Sequence, residues 1–157
     1  MVRVLIVGFG NPLRSDDGVG WHVAQLLSGD LSRVDVQVVA RQQLTPEIAD
    51  FASRAERVLF VDAARCGNAG SLQCRKVVPA DLPESYTHQL SPATVLKLAE
   101  QLYGRCPPSL LFTIAGENFE TGDAMSPAVC SAIPTLLARI KQFIDDGVEM
   151  LGAAETK

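Results

Sequence analysis

Residues 2–20 read VRVLIVGFGNPLRSDDGVG. Val2 to Val7 is a β-branched and aliphatic run without polar alternation after Arg3, the pattern of a strand buried on both faces near the middle of a sheet. Gly8 ends it. From Val19 the apolar residues Val19, Val23, Leu26 and Leu27 fall at i, i+4, i+7 and i+8, the stripe of an amphipathic helix preceded by Asp16 and Asp17. Strand, loop and helix within thirty residues open a β-α-β unit.

The pattern repeats outward from there. Val34 to Ala40 reads as a second strand, Thr45-Pro46-Glu47 as a helix start with Pro at the first helical position, and Val58 to Val61 as a third buried strand ending in Asp62. Alternation of this kind implies an α/β fold. The expected architecture is a three-layer α/β/α sandwich, a mostly parallel five-stranded sheet with one antiparallel strand. Leu72 to Val78 supplies that strand: only nine residues, Ala63 to Ser71, separate it from the third, and their Gly67-Asn68 and Gly70 suit a hairpin better than a parallel crossover. Ser91-Pro92 opens a helix with Val95, Leu96, Ala99, Leu102 and Tyr103 on one side, closed by Gly104. Leu110 to Ala115 is the last strand. Ser126-Pro127 opens a final helix with Val129, Ile133, Leu136, Leu137, Ile140 and Ile144 apolar, which Pro134 should kink or restart. Residues 147–157 are expected to form a frayed tail.

With 157 residues, 47% hydrophobic and 20% charged, the chain has ordinary globular composition and the length of one domain, 1–157. Fourteen Lys+Arg against eighteen Asp+Glu give a formal net charge of −4 without a basic block, which argues against nucleic acid as a partner. The apolar run at the N-terminus is too short for a signal h-region or a membrane span, so no membrane partner and a cytoplasmic location are expected. Cys66, Cys74, Cys106 and Cys130 contain no C-x-x-C pair, and read as free, buried thiols in a reducing compartment.

Gly8-Phe9-Gly10-Asn11-Pro12-Leu13 occupies the place of a dinucleotide-binding G-x-G-x-x-G loop, but Leu13 replaces the third glycine and Pro12 removes a backbone N–H. Arg41, at the end of the second strand, could meet a 2′-phosphate, which keeps an NADP-dependent oxidoreductase as a minor alternative. Asp16-Asp17 is less ordinary. One carboxylate suffices to cap the helix N-terminus, leaving the other for chemistry above the carboxyl ends of the strands. Asp62 should emerge on the same rim, where a turn-forming Asp is the bland alternative. His88, just before the helix at Ser91-Pro92, is by itself more often a surface or capping residue, and His22 reads as a packing residue at the edge of the first helix's stripe. Together Asp17, Asp62 and His88 would make a mixed O/O/N set suited to zinc or nickel rather than magnesium or calcium.

Gly8-x-Gly10-Asn11 with Asp16-Asp17-Gly18-Val19-Gly20, then Asp62 after an apolar strand, then Thr87-His88-Gln89-Leu90-Ser91-Pro92, resembles the hydrogenase maturation endopeptidases over about Met1 to Ile144. The resemblance implies an enzyme that clips a short C-terminal extension from the nickel-loaded precursor of a [NiFe]-hydrogenase large subunit, its protein partner. Nickel carried by that substrate would be the recognition element, with no organic cofactor. The family's metal-contacting positions fall on Asp17, Asp62 and His88, which would also be the catalytic set. Some members carry Glu where this chain has Asp17. Some have an Asp-Gly-Gly-Thr-like segment where this chain has Arg41-Gln42-Gln43-Leu44-Thr45, which marks Arg41, Gln42 and Gln43 as a substrate specificity loop. Ile6 to Pro12 also looks like the opening of bacterial peptidyl-tRNA hydrolase. The acidic balance, and Ser15-Asp16-Asp17 where that family has its catalytic His, count against it. A non-catalytic module that binds nickel or precursor is the third alternative.

Overall fold

The computed structural model describes residues 2–30, 33–81 and 90–146. Five strands, β1 (Val2–Phe9), β2 (Val36–Arg41), β3 (Ala55–Ala64), β4 (Leu72–Lys76) and β5 (Ser109–Ala115), form one sheet in the order β2-β1-β3-β5-β4. Pairings among β2, β1, β3 and β5 are parallel, and β4 runs antiparallel to β5. Four helices connect them: α1 (Val19–Asp30), α2 (Glu47–Ser53), α3 (Pro92–Tyr103) and α4 (Pro127–Asp146).

The sheet separates two apolar layers. Alternate residues of the inner strands, Val4 and Ile6, Leu59 and Val61, Leu110 and Phe112, face α1 and α4. Their neighbours Leu5 and Val7, Val58 and Phe60, and Leu111 face α2 and α3. That strict two-sided burial is why β1 and β3 read as unbroken apolar runs. The sandwich, the parallel core and the single antiparallel strand are therefore as the sequence implies.

Several local readings are corrected. The antiparallel strand forms no hairpin with β3, because β5 lies between them. Residues 65–71 instead pass over the end of β5: Gly116 N donates to Ala64 O, Ala115 N to Ser71 O and Gly70 N to Ala115 O, at 2.7 to 2.9 Å. α4 runs unbroken through Pro134. Leu26, Leu102 and Tyr103, placed on buried stripes by spacing, are exposed, since each lies at the edge of its helix's contact face. None of the four free cysteines is fully buried: Cys66 and Cys130 are exposed, Cys74 and Cys106 partly so. Cys66 lies in the connection over β5 and Cys130 on the outer side of α4. The tail 147–157 lies outside the described residues. No helix among those described is long and apolar enough to cross a membrane.

The ends of α3 follow their sequence signals, whereas α2 starts at Glu47, one residue beyond Pro46. Ser91 Oγ accepts from Thr94 N while Thr94 Oγ1 accepts from Ser91 N, a reciprocal cap at the start of α3, and Gly104 closes that helix with φ 73°.

Candidate functional site

The chain leaves β1 for β2 on one side and later returns to place β3 on the other, so the connections reverse direction between β1 and β3. Open α/β sheets bind ligands in the crevice outside the carboxyl ends at such a reversal. Asp17 comes from the loop after β1, and Asp62 from the upper end of β3. The last β1–β3 partners are Gly8 and Val61, so Asp62 is the first β3 residue to rise past β1, while still paired with Thr113 of β5. Its side chain follows Val58 and Phe60 on the α2/α3 face of the strand.

Three glycines let the helix approach this point. A Cβ on Gly8 would lie 2.1 Å from Gly20 O, and one on Gly20 2.2 Å from Val61 O, so α1 begins directly against β1 and β3. Gly10, at φ 143°, lies so close to the turn that a Cβ there would sit 2.0 Å from Asp17 O. The G-x-G pattern thus serves close backbone packing in the turn that holds Asp17. Ser15 to Gly18 forms one 3₁₀ turn, with Ser15 at φ 52°, a left-handed conformation unusual for a non-glycine residue.

The adjacent aspartates have separate tasks. Asp16 is fully buried and does not cap its own helix; its carboxylate reaches about a hundred positions along the chain to the segment between β5 and α4. There Oδ2 accepts from Glu117 N, Asn118 N and Ser126 Oγ at 2.8 to 3.1 Å, and Oδ1 from Ser126 N at 2.7 Å. Burial alone would raise its pKa, but these donors outweigh it and hold the carboxyl below the usual value. Asp17 is more open. Its Oδ2 accepts from Asn11 N at 3.0 Å, and its Oδ1 lies 3.8 Å from the Arg65 guanidinium.

Asp62 is pushed up to about 7, first by burial and further by the negative charge of Asp17; a hydrogen bond from the Ala63 backbone and the charge of Arg65 oppose the rise. Asp17 and Asp62 share a pocket with Phe9, Gly10, Gln42, Gln43, Leu44 and Leu90. It opens into a groove of about 830 Å³ that adds Asn11, Arg14, Ala63 and Arg65.

Two carboxylates at one opening, one of them titrating near neutrality, can bind a cation or exchange a proton with a bound group. His88 lies outside the described residues. Among those that are described, no three His, Cys, Asp or Glu side chains form a metal-holding group. Gln42 and Gln43 line the pocket, whereas Arg41 turns to Glu47 Oε1 at 3.2 Å and to its own Ala40 O, away from the role of meeting a 2′-phosphate. His22 stacks edge-on against Trp21, with ring centroids 5.2 Å apart, and burial lowers its pKa.

Sequence reasoning passed over Arg65 and Arg14. Arg65 lies three residues after Asp62 and stacks over the Phe119 ring at 4.3 Å. No local pattern pairs positions 65 and 119. The missed signal for Arg14 was its place in the loop beside the two aspartates.

In overall structure the chain is similar to a [NiFe] hydrogenase maturation protease, HycI, from Thermococcus kodakarensis KOD1, with TM-score 0.72, 23% identity and coverage of 91% of this chain and 92% of that one. It is similar to the hydrogenase maturating endopeptidase HybD from E. coli, with TM-score 0.73, 20% identity and coverage of 93% and 94%. A hydrogenase 2 maturation peptidase from Thaumarchaeota archaeon SCGC_AB-539-E09 follows, with TM-score 0.67, 23% identity and coverage of 89% and 96%. These likenesses establish a shared fold across nearly the whole of each chain. No family model matches the sequence. No curated protein matches it either.

Proposed function

We propose that this chain is an endopeptidase of hydrogenase maturation, which removes a short C-terminal extension from the nickel-loaded precursor of a [NiFe]-hydrogenase large subunit. The observation that carries the reading is the convergence of Asp17 and Asp62 on one pocket, in a fold shared with proteases of that name. Asp17, Asp62 and His88 would complete the coordination of nickel held by the precursor. Leu90, two residues beyond His88 in the chain, lines the same pocket. Gln42 and Gln43 stand at its edge, where they would contact the arriving chain, and Arg41 supports their loop through Glu47.

Substrate nickel would hold the scissile peptide at the carboxylates and polarise its carbonyl or a water. The residues' part is to position and to take up the proton. Either Asp17 or Asp62 could be that base; Asp17 is in addition held by the Asn11 N–H. The reaction would take place in the cytoplasm and would need no organic cofactor.

Incubation with the large-subunit precursor, with and without nickel, followed by intact mass tests this. Loss of a C-terminal peptide only from the nickel-loaded form is the expected result. An unprocessed nickel-loaded precursor, or equal cleavage without nickel, overturns the proposal.

A further inference from the structure

Two guanidinium groups line the groove that holds Asp17 and Asp62, and the reading above assigns them nothing. The Arg14 side chain is exposed and has no ion-pair or hydrogen-bond partner among the described residues. Its backbone is fixed. Arg14 N donates to Asn11 O at 3.0 Å, Asp17 N donates to Arg14 O at 3.1 Å, and the residue bridges to Gly122. Ser15, next in the chain, donates through N to Gly122 O and through Oγ to Glu120 O. The loop that carries Arg14 is thereby tied to residues 116–122.

The same segment supports the other guanidinium, since Phe119 is the ring beneath Arg65. Arg65 meets Asp17 only at 3.8 Å, longer than a hydrogen bond. The Phe119 ring is thus a support for Arg65 besides the loose pair with Asp17, and no hydrogen bond to a described residue occupies its donors. A cation arriving at Asp17 and Asp62 would weaken even the loose attraction to Asp17, leaving Arg65 on its ring and facing the groove. Arg14 neutralises no carboxylate among the described residues, and both arginines are presented by a braced rim in a chain whose net charge is −4. Fork-shaped guanidinium groups, one without a partner among the described residues and the other only loosely paired with Asp17, match a carboxylate.

We propose that Arg14 and Arg65 form a carboxylate-recognition pair that binds an anionic group of the substrate's C-terminal extension, and so sets which chain enters the groove. The inference rests on the endopeptidase reading and adds a chemical class to its substrate. The carboxylate comes either from an acidic side chain of the extension or from its terminal α-carboxylate. Both present the same planar anion to the pair.

The test measures kcat and KM for the parent protein and for R14Q, R65Q and R65K on the nickel-loaded precursor. Three further precursors have, respectively, the extension's Asp and Glu changed to Asn and Gln, the C-terminus amidated, or both changes. The expected result is a KM raised about tenfold in R14Q and R65Q, with kcat within twofold of the parent in R14Q and in R65K, which keeps the charge beside Asp17 and Asp62. On the precursor that lacks the recognised carboxylate, the parent falls to the level of R14Q and R65Q, and those substitutions cost nothing more. Whichever single change reproduces the loss identifies the source of the anion. An unchanged KM in both R14Q and R65Q, or an equal further loss on the doubly neutral precursor, overturns the pair while leaving the endopeptidase reading intact. Absence of cleavage by the parent protein overturns that reading and this inference with it.

Discussion

Replacing Asp62 by Asn should stabilise the fold at pH 8 and change it little at pH 4. In the folded protein burial and Asp17 push the Asp62 carboxyl from 3.8 up to about 7. Below the unfolded value both states hold the proton, and the group costs nothing. Between the two values the unfolded chain ionises while the folded one keeps its proton, so stability falls as pH rises, and the loss levels off above the folded value. A rise from 3.8 to about 7 corresponds to about 4 kcal/mol. That is a large share of the roughly 5–15 kcal/mol that holds a domain together.

Asn is close in size to the protonated carboxyl and does not titrate. The difference in unfolding free energy between D62N and the parent should therefore grow by as much as about 4 kcal/mol from pH 4 to pH 8. Groups that do not face Asp62 titrate alike in both proteins and cancel. Urea unfolding of the two proteins at four pH values, in buffer containing a chelator, measures the difference directly. Because burial is the larger cause and Asp17 the smaller, the same series in a D17N background should keep most of the slope. A difference that stays flat within about 0.5 kcal/mol over this range would refute the claim that Asp62 is held in a costly environment.

Asp16→Asn places amide hydrogens against the donors of Glu117, Asn118 and Ser126, and should cost about 3 kcal/mol in urea unfolding. Asp16's pKa is lowered in the fold, so its contribution is present above the ordinary value and should fade as pH drops through the folded one. Gly8→Ala drives a methyl into Gly20 O and should destabilise the fold by about 3 kcal/mol, also measured in urea; a neutral result would mean that α1 can retreat from the sheet. Asp17→Asn should leave the far-ultraviolet circular dichroism unchanged and abolish processing of the nickel-loaded precursor, and normal cleavage would remove Asp17 from the chemistry.

What the sequence reveals depends on how local the cause is. β1 and β3 are legible because burial on both faces writes a continuous apolar run, and the start of α3 because Ser91 and Thr94 sit three residues apart. The position of β4 is not legible. Only the later arrival of β5 between it and β3 decides its partner, and that is a matter of long-range pairing. Leu26, Leu102 and Tyr103 fit helical spacing, but a stripe's width is set by what packs against it, which periodicity does not contain. Asp17 and Asp62 are placed on one rim by the sequence because one lies in the turn that leads from β1 into α1 and the other near the upper end of β3. The stacking of Arg65 on Phe119 joins segments about fifty positions apart and leaves no trace in either.

Asp16 and Asp17 show that residue type and neighbourhood in sequence do not assign a role, whereas the supply of donors does. Asp16 has no exposed surface, yet its carboxyl is held low, because Glu117, Asn118 and Ser126 turn their N–H groups and a hydroxyl toward it. Asp62 has the Ala63 N–H and a nearby Arg65, too little to offset desolvation and the facing Asp17, and its carboxyl rises. A satisfied carboxylate fastens the rim, and an undersatisfied one remains able to accept a cation or a proton from what binds there. The two depend on each other. Asp16 fixes residues 116–126, that segment carries the Phe119 ring beneath Arg65, and Arg65 sets part of the field at Asp62. Loosening the Asp16 anchor should therefore move the titration of Asp62, a residue it does not touch. In a D16N variant that still folds, the rise in Asp62's pKa, followed by carboxyl NMR shifts, should become larger as Arg65 drifts from the site; an unchanged midpoint would show that the two carboxylates are built independently.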